Sequence, residues 1–260
     1  MSLKLYQVDA FASSVFEGNP AAVVPLNEWL PDEKMQKIAL ENNLSETAFF
    51  IPTENGFHIR WFTPLAEVKL CGHATLASAH VLFHHFNYSE NEIRFDSLSG
   101  LLTVTRKDDL IYLNFPAPAL SEVEIPENLG KAFQFQPVKC IKGRDDYMLI
   151  FENEAEIQDI KPDFQQIIES KTRGIIVTAK STEFDFVSRF FAPAVGVNED
   201  PVTGSAHTML IPFWAKELGK NELAAKQVSQ RGGILYCKYL GERVEIGGKA
   251  ITYLTGEIFI

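Results

Sequence analysis

Glu46 is the carboxylate whose setting in the sequence most suggests chemistry. It lies in Asn42-Asn43-Leu44-Ser45-Glu46-Thr47-Ala48-Phe49-Phe50-Ile51. Strand alternation puts it on one face with Leu44, Ala48 and Phe50, and puts Ser45, Thr47 and Phe49 on the other. A carboxylate on an apolar face is costly unless it has partners, and desolvation is one way such a group is brought into the range of a general base. The plain alternative is a Glu at the rim of a sheet.

Two turns of small residues offer the complementary half of such a site. They are Cys71-Gly72-His73-Ala74-Thr75 and Thr203-Gly204-Ser205-Ala206-His207, the second preceded by Asn198-Glu199-Asp200-Pro201-Val202. Each opens a helical segment without Lys, Arg, Asp or Glu, residues 72–87 and 203–215. A surface helix needs a polar face, so both are expected to run through a core. Pro212 is expected to kink or end the second. A helix start presents unpaired N–H groups and partial positive charge, and small residues let an anion approach. Simple capping is the competing reading for either turn alone.

The two turns are related. Gly204 follows Gly72 by 204 − 72 = 132 positions, about half of the 260-residue chain. Phe62-Thr63-Pro64 precedes one turn and Phe191-Ala192-Pro193 the other, the prolines 8 and 11 residues before the glycines. The expectation is an α+β protein with an internal duplication: two pseudo-repeat domains, 1–120 and 121–260, each a barrel-like, mostly antiparallel sheet around one buried helix. If the halves face each other, both helix starts meet in a cleft between them.

The elements that would carry these turns are mainly strands. Runs rich in Val, Ile, Phe, Tyr and Thr recur at 5–8, 21–24, 47–51, 57–61, 93–95, 101–105 and 111–115. They continue at 147–151, 174–179, 184–190, 227–229, 234–239, 244–246 and 258–260. Helical spacing marks 32–42 and 163–170, and the Glu- and Pro-rich segment 121–129 reads as the linker.

These residues resemble the PhzF, or phenazine biosynthesis-like, isomerase family. The resemblance is carried by Asp9-Ala10-Phe11 with Phe16-Glu17-Gly18-Asn19-Pro20-Ala21-Ala22-Val23, by Leu44-Ser45-Glu46-Thr47-Ala48-Phe49, and by the two turns. It extends through Ser99-Gly100-Leu101-Leu102-Thr103-Val104 to Gln230-Arg231-Gly232-Gly233 and Gly247-Gly248. It implies a diaminopimelate epimerase-like fold, a homodimer and a site without cofactor. It also implies a proton shuttle on a small, cyclic amino-acid-like carboxylate, with Glu46 as general acid/base and His73, Asp200 and Ser205 in support. Gly72 and Gly204 would offer amides to the substrate and Asn19 would line the pocket. The epimerase branch uses one cysteine at each turn. Here Cys71 fills the first place and Asp200 stands near the second, which argues against a two-thiol racemase.

Composition narrows the partners. Twenty-four Lys and Arg against 34 Asp and Glu give a net charge of −10 without any basic stretch, a poor match to nucleic acid or anionic membranes. No apolar run is long enough to span a bilayer, and three scattered cysteines without a leader sequence suggest a reducing cytoplasm. His80 and His84 have i, i+4 spacing but no third ligand at a telling distance, so hydrogen-bonded core histidines are preferred to a metal site, and no metal is expected. Cys71 reads as a packed residue or a lone reactive thiol, Cys140 and Cys237 as packing. Gly232-Gly233 and Gly247-Gly248 read as strand turns or bulges. Three functions are carried forward: a PhzF-type isomerase, an amino-acid epimerase or racemase using Cys71 with a non-thiol partner, and a small-carboxylate binder without turnover. The substrate, a phenazine precursor being one possibility, is not legible in the sequence.

Overall fold

The computed structural model describes residues 2–260, which form two compact units, 2–114 with 247–260, and Phe115–Ile246. In chain order the first contains β1 (Ser2–Ala10), β2 (Asn19–Pro25), α1 (Asp32–Asn42), β3 (Glu46–Thr53) and β4 (Gly56–Phe62). There follow β5 (Glu67–Val68), α2 (Gly72–His85), β6 (Glu92–Ser97), β7 (Gly100–Lys107) and β8 (Leu110–Pro116), whose last two residues belong to the second unit.

The second unit continues with β9 (Ser121–Val123), α3 (Glu127–Lys131), β10 (Lys139–Lys142), β11 (Asp146–Ile150), α4 (Glu154–Asp159) and α5 (Phe164–Glu169). Then come β12 (Gly174–Lys180), β13 (Phe186–Ala192), β14 (Val197–Asp200), α6 (Gly204–Leu218), β15 (Glu222–Gln227), β16 (Gly233–Tyr239) and β17 (Arg243–Gly248), whose last two residues belong to the first unit. The last strand, β18 (Ala250–Phe259), returns to the first unit and pairs antiparallel with β1 along its whole length.

The α+β class and the predominance of antiparallel strands are as expected. Antiparallel pairs include β1 with β2, β3 with β4 and β6 with β7 in the first unit, and β12 with β13 and β15 with β16 in the second. Parallel pairs are fewer, among them β2 with β3 and β11 with β12. The division between units lies at 114/115 rather than 120/121, and a boundary count along the chain could not return β18 to β1.

Each unit is built around its charge-poor helix. Every residue of α2 from His73 to Phe83 is buried, so this helix has no solvent face. It packs on β1, β2, β3 and β18. The opposite face of the same strands carries a second core, in which Ala22, Val24 and Phe49 meet Met35, Ile38 and Ala39 of α1. In the second unit α6 packs on β11, β15 and β16, and its Trp214 indole N–H donates to Thr178 Oγ1 at 3.0 Å. A separate core of Leu149, Phe151, Val177, Val187 and Phe191 lies under α3, α4 and α5.

Several local expectations are corrected. Pro212 sits inside α6 without ending it; the helix runs to Leu218 and stops at Gly219, whose φ of 66° gives the left-handed cap. The segment 121–129 is no free linker, because β9 pairs with β10 and α3 begins at Glu127. The strand read at 227–229 is β15, which lies mostly before it, its Glu-Leu-Ala-Ala-Lys-Gln composition hiding strand character. Gly247 and Gly248 are strand residues rather than turns: a Cβ at either would meet the Tyr112 or the Phe11 ring at 2.4 Å.

Candidate active site

β3 starts at Glu46, and register explains why its side chain turns toward α2. Ala21 of β2 pairs with Glu46, and Ala10 of β1 pairs with Asn19, so Asn19, Ala21, Glu46 and Ala48 share one face. Leu44 does not share it, because it precedes the strand and packs with Phe49 in the core against α1. Asn19 is fully buried.

His73, in the first turn of α2, reaches Glu46. Its Nε2 lies 3.2 Å from Glu46 Oε2, the two side chains 7% and 18% exposed. The atoms are at ion-pair distance without the alignment of a hydrogen bond, and neither has another hydrogen-bond partner. On the far side of the ring, Nδ1 lies 3.6 Å from Cys71 Sγ. Burial pushes the imidazole pKa down, but the Cys71 sulfur and the Glu46 carboxylate oppose it and hold His73 well above its ordinary value. Burial, with the Glu46 charge, pushes the Cys71 thiol up.

The donor atoms of Glu46, Cys71 and His73 lie within 4.8 Å of one another, a grouping the histidine spacings did not reveal. Cys71 faces one ring nitrogen and Glu46 the other, so the imidazole stands between them. A bound cation would use one nitrogen, whereas a proton relay uses both. The His80 and His84 rings lie 4.4 Å apart, tilted by 34°, and His80 Nε2 is engaged by Thr252 Oγ1 at 3.0 Å.

The second turn is built on the same backbone plan. Both N-cap residues, Cys71 and Thr203, are extended, with φ/ψ of −143°/111° and −115°/100°, and neither caps its helix with its side chain. In each helix the residue four positions on donates a side-chain hydrogen to the N-cap carbonyl: Thr75 Oγ1 to Cys71 O at 2.6 Å, and His207 Nδ1 to Thr203 O at 2.8 Å. The glycine that follows each N-cap starts the helix. This shared construction supports a duplication and disfavours the simple side-chain cap weighed from sequence.

Asp200 and Ser205 flank that turn. The Asp200 carboxylate accepts from Thr203 Oγ1. The buried Gln227 amide accepts from Thr203 N at 2.9 Å and donates to Asp200 O at 2.8 Å, fixing the segment that carries the carboxylate. Glu199, its neighbour in β14, turns the other way and pairs with Arg189 at 2.7 Å, a structural role. Ser205 Oγ is held by Arg173.

A family model described as phenazine biosynthesis-like protein matches residues 8–256. The chain belongs to this family. A Pseudomonas aeruginosa protein named an uncharacterized isomerase is 49% identical over 100% of both chains. The crystal structure of a PhzF family protein from Enterococcus faecalis has a TM-score of 0.98 at 45% identity, covering 100% of each chain. A hydroxyproline epimerase from Agrobacterium vitis shares the fold alone, with a TM-score of 0.64 at 8% identity over 99% of this chain and 92% of that one. The PhzF-family chain is thus an isomerase with an epimerase-like fold.

Within this PhzF-family protein the structure brings Glu46 and His73 together, and Asp200, Gly204 and Ser205 around one turn. Sequence reasoning missed Arg173, Asp146 and Gln227. Arg173 alone left a trace, as a cation immediately ahead of the wholly apolar start of β12. No helix among the described residues is long and apolar enough to cross a membrane. Cys71, Cys140 and Cys237 are free and buried.

Proposed function

We propose that this isomerase moves a proton on a small carboxylate substrate without a cofactor, and that Glu46 takes and returns the proton. The observation that carries this reading is the buried 3.2 Å contact between Glu46 and His73, and Cys71 and Glu46 raise the His73 pKa against the effect of burial, which favours the protonated ring. A carboxylate freed of bulk water and set beside an imidazolium can accept a proton from carbon while His73 balances the charge of the developing anion. Unpaired amides at the start of α2, beginning at Gly72, would face a substrate carboxylate. Asp200, Gly204, Ser205 and Asn19 keep the supporting and lining roles that family resemblance implies.

The decisive experiment incubates the protein with cyclic and acyclic amino and hydroxy acids in heavy water and follows carbon-bound hydrogen by NMR. Exchange that Glu46→Gln abolishes supports the proposal. Exchange that survives the substitution removes Glu46 from the role.

A second reading rests on the 3.6 Å contact between Cys71 Sγ and His73 Nδ1: an epimerase in which Cys71 acts with a non-thiol partner. Iodoacetamide inactivation that substrate prevents would favour it. Assembly as a homodimer and a reducing, cytoplasmic setting complete the proposal. Sedimentation equilibrium tests the first, a mass near 29.2 kDa counting against it.

A further inference from the structure

Arg173 is gripped on one side and grips on the other. Its guanidinium forks over the Asp146 carboxylate, Nε donating to Oδ1 at 2.9 Å and Nη2 donating to Oδ2. Asp146 is 3% exposed, and without this pairing its charge would be stranded in the interior. The hydrogens left on Nη1 and Nη2 converge on Oγ of Ser205, each at 3.2 Å. The guanidinium also lies over the Phe190 ring, 5.4 Å from its centroid.

Donor counting gives this arrangement a direction. Both donors belong to one planar guanidinium, so they approach Ser205 Oγ from the same side and turn its proton away from the cation. That proton is thereby directed outward, on a residue that is exposed. A hydroxyl that accepts two charge-assisted bonds is polarised into a stronger donor.

We propose that Arg173 is a positioning residue that directs the Ser205 hydroxyl proton outward, so that this turn favours a carboxylate oxygen over the corresponding amide nitrogen. The inference rests on the proposal that Ser205 meets the substrate. Selectivity arises from the fixed direction of one proton rather than from net charge, since Asp145, Asp146 and Asp200 all lie near enough to act on the same guanidinium. A carboxylate oxygen takes the outward proton, whereas an amide NH2 must donate to an oxygen whose electron density is already drawn toward the cation.

A test independent of turnover uses Ser205→Cys. The three native cysteines are buried, so the wild type supplies the blank for iodoacetamide alkylation followed from pH 5 to 10. With Arg173 in place, the midpoint for the introduced thiol is expected at least one pH unit below that of Ser205→Cys/Arg173→Gln. Because Arg173→Gln strands Asp146, the comparison is repeated in Ser205→Cys/Arg173→Gln/Asp146→Asn, with circular dichroism to verify folding. Equal midpoints in the folded variants overturn the proposal.

In the heavy-water panel, acids are compared with their primary amides. Arg173→Gln is expected to narrow the acid-to-amide ratio in kcat/KM at least tenfold, chiefly through KM. An unchanged ratio also overturns the proposal. If the wild type exchanges nothing, the Glu46 reading fails, while the thiol midpoints still decide the role of Arg173.

Discussion

Glu46 Oε2 and His73 Nε2 face each other across 3.2 Å, one at the first residue of a strand and the other in the first turn of the helix packed on it. Neither position is free to drift, because β3 is paired on both sides and α2 is buried from His73 to Phe83. Glu46→Gln keeps the shape and removes the proton acceptor. It is expected to lower turnover by about 10²–10⁴-fold, the range for a lost general acid/base, with the fold retained and the melting temperature lowered by the loss of the pairing to His73. Coupled activity and melting measurements check it.

The same contact sets the titration of His73. Its pKa is raised, so the stabilisation from its protonated form is complete below about pH 6.5 and is lost as pH rises through the folded value. An NMR titration should place the His73 ring midpoint above 6.5 in the wild type and lower in Glu46→Gln. A midpoint that ignores the substitution contradicts the pairing.

His207 behaves in the opposite sense. Burial lowers its pKa to about 4; Nδ1–H donates to Thr203 O, and Nε2 is buried without a partner. The neutral ring therefore favours the fold above about pH 6.5, and that contribution is lost as pH falls toward 4. Linkage makes the loss about 3 kcal/mol. Melting curves between pH 7 and pH 4.5 should show it, with His207→Gln giving a less stable protein and a flatter slope. His80, lowered by burial to about 3, adds to the same acid-side slope.

Gly18 holds the turn ahead of Asn19 with φ at 65°, and a Cβ there would lie 2.1 Å from the Ala10 carbonyl oxygen. Gly18→Ala is expected to cost at least about 1–2 kcal/mol from the left-handed backbone alone, with the clash added. Urea unfolding measures it, and a near-neutral result would show that the turn can relax.

Cys71 is 7% exposed, and burial raises its thiol. Alkylation of the folded protein by iodoacetamide at pH 7 is expected to be slow, with all three cysteines reacting together after denaturation. Mass spectrometry of the labelled peptides distinguishes this from rapid modification of Cys71 alone.

Much of this was written plainly in the chain. Segments 72–87 and 203–215 lack charge, and that absence gave both buried helices, because no surface helix could dispense with a polar face. Glu46 stood out by sitting among apolar neighbours. What stayed hidden depends on register and on distance along the chain. β15 is rich in Ala, Lys and Glu and exists as a strand because β13 and β16 flank it. Arg173 lies 32 residues from Ser205, and nothing local joins them. The Cys71 contact required knowing which ring nitrogen faced which way, a matter of rotamers rather than of spacing.

The pairing of β1 with β18 has a bearing on how the protein comes into being. β1 ends at residue 10 and β18 begins at 250, so the long stretch between them must leave the ribosome before the unit holding Glu46 and His73 gains this partner strand. The intervening stretch 115–246 can close on itself earlier. The first unit is therefore completed last, and a chain that lacks residues 250–260 is expected to leave β1 without its partner strand and, if Glu46 does the chemistry, to be inactive.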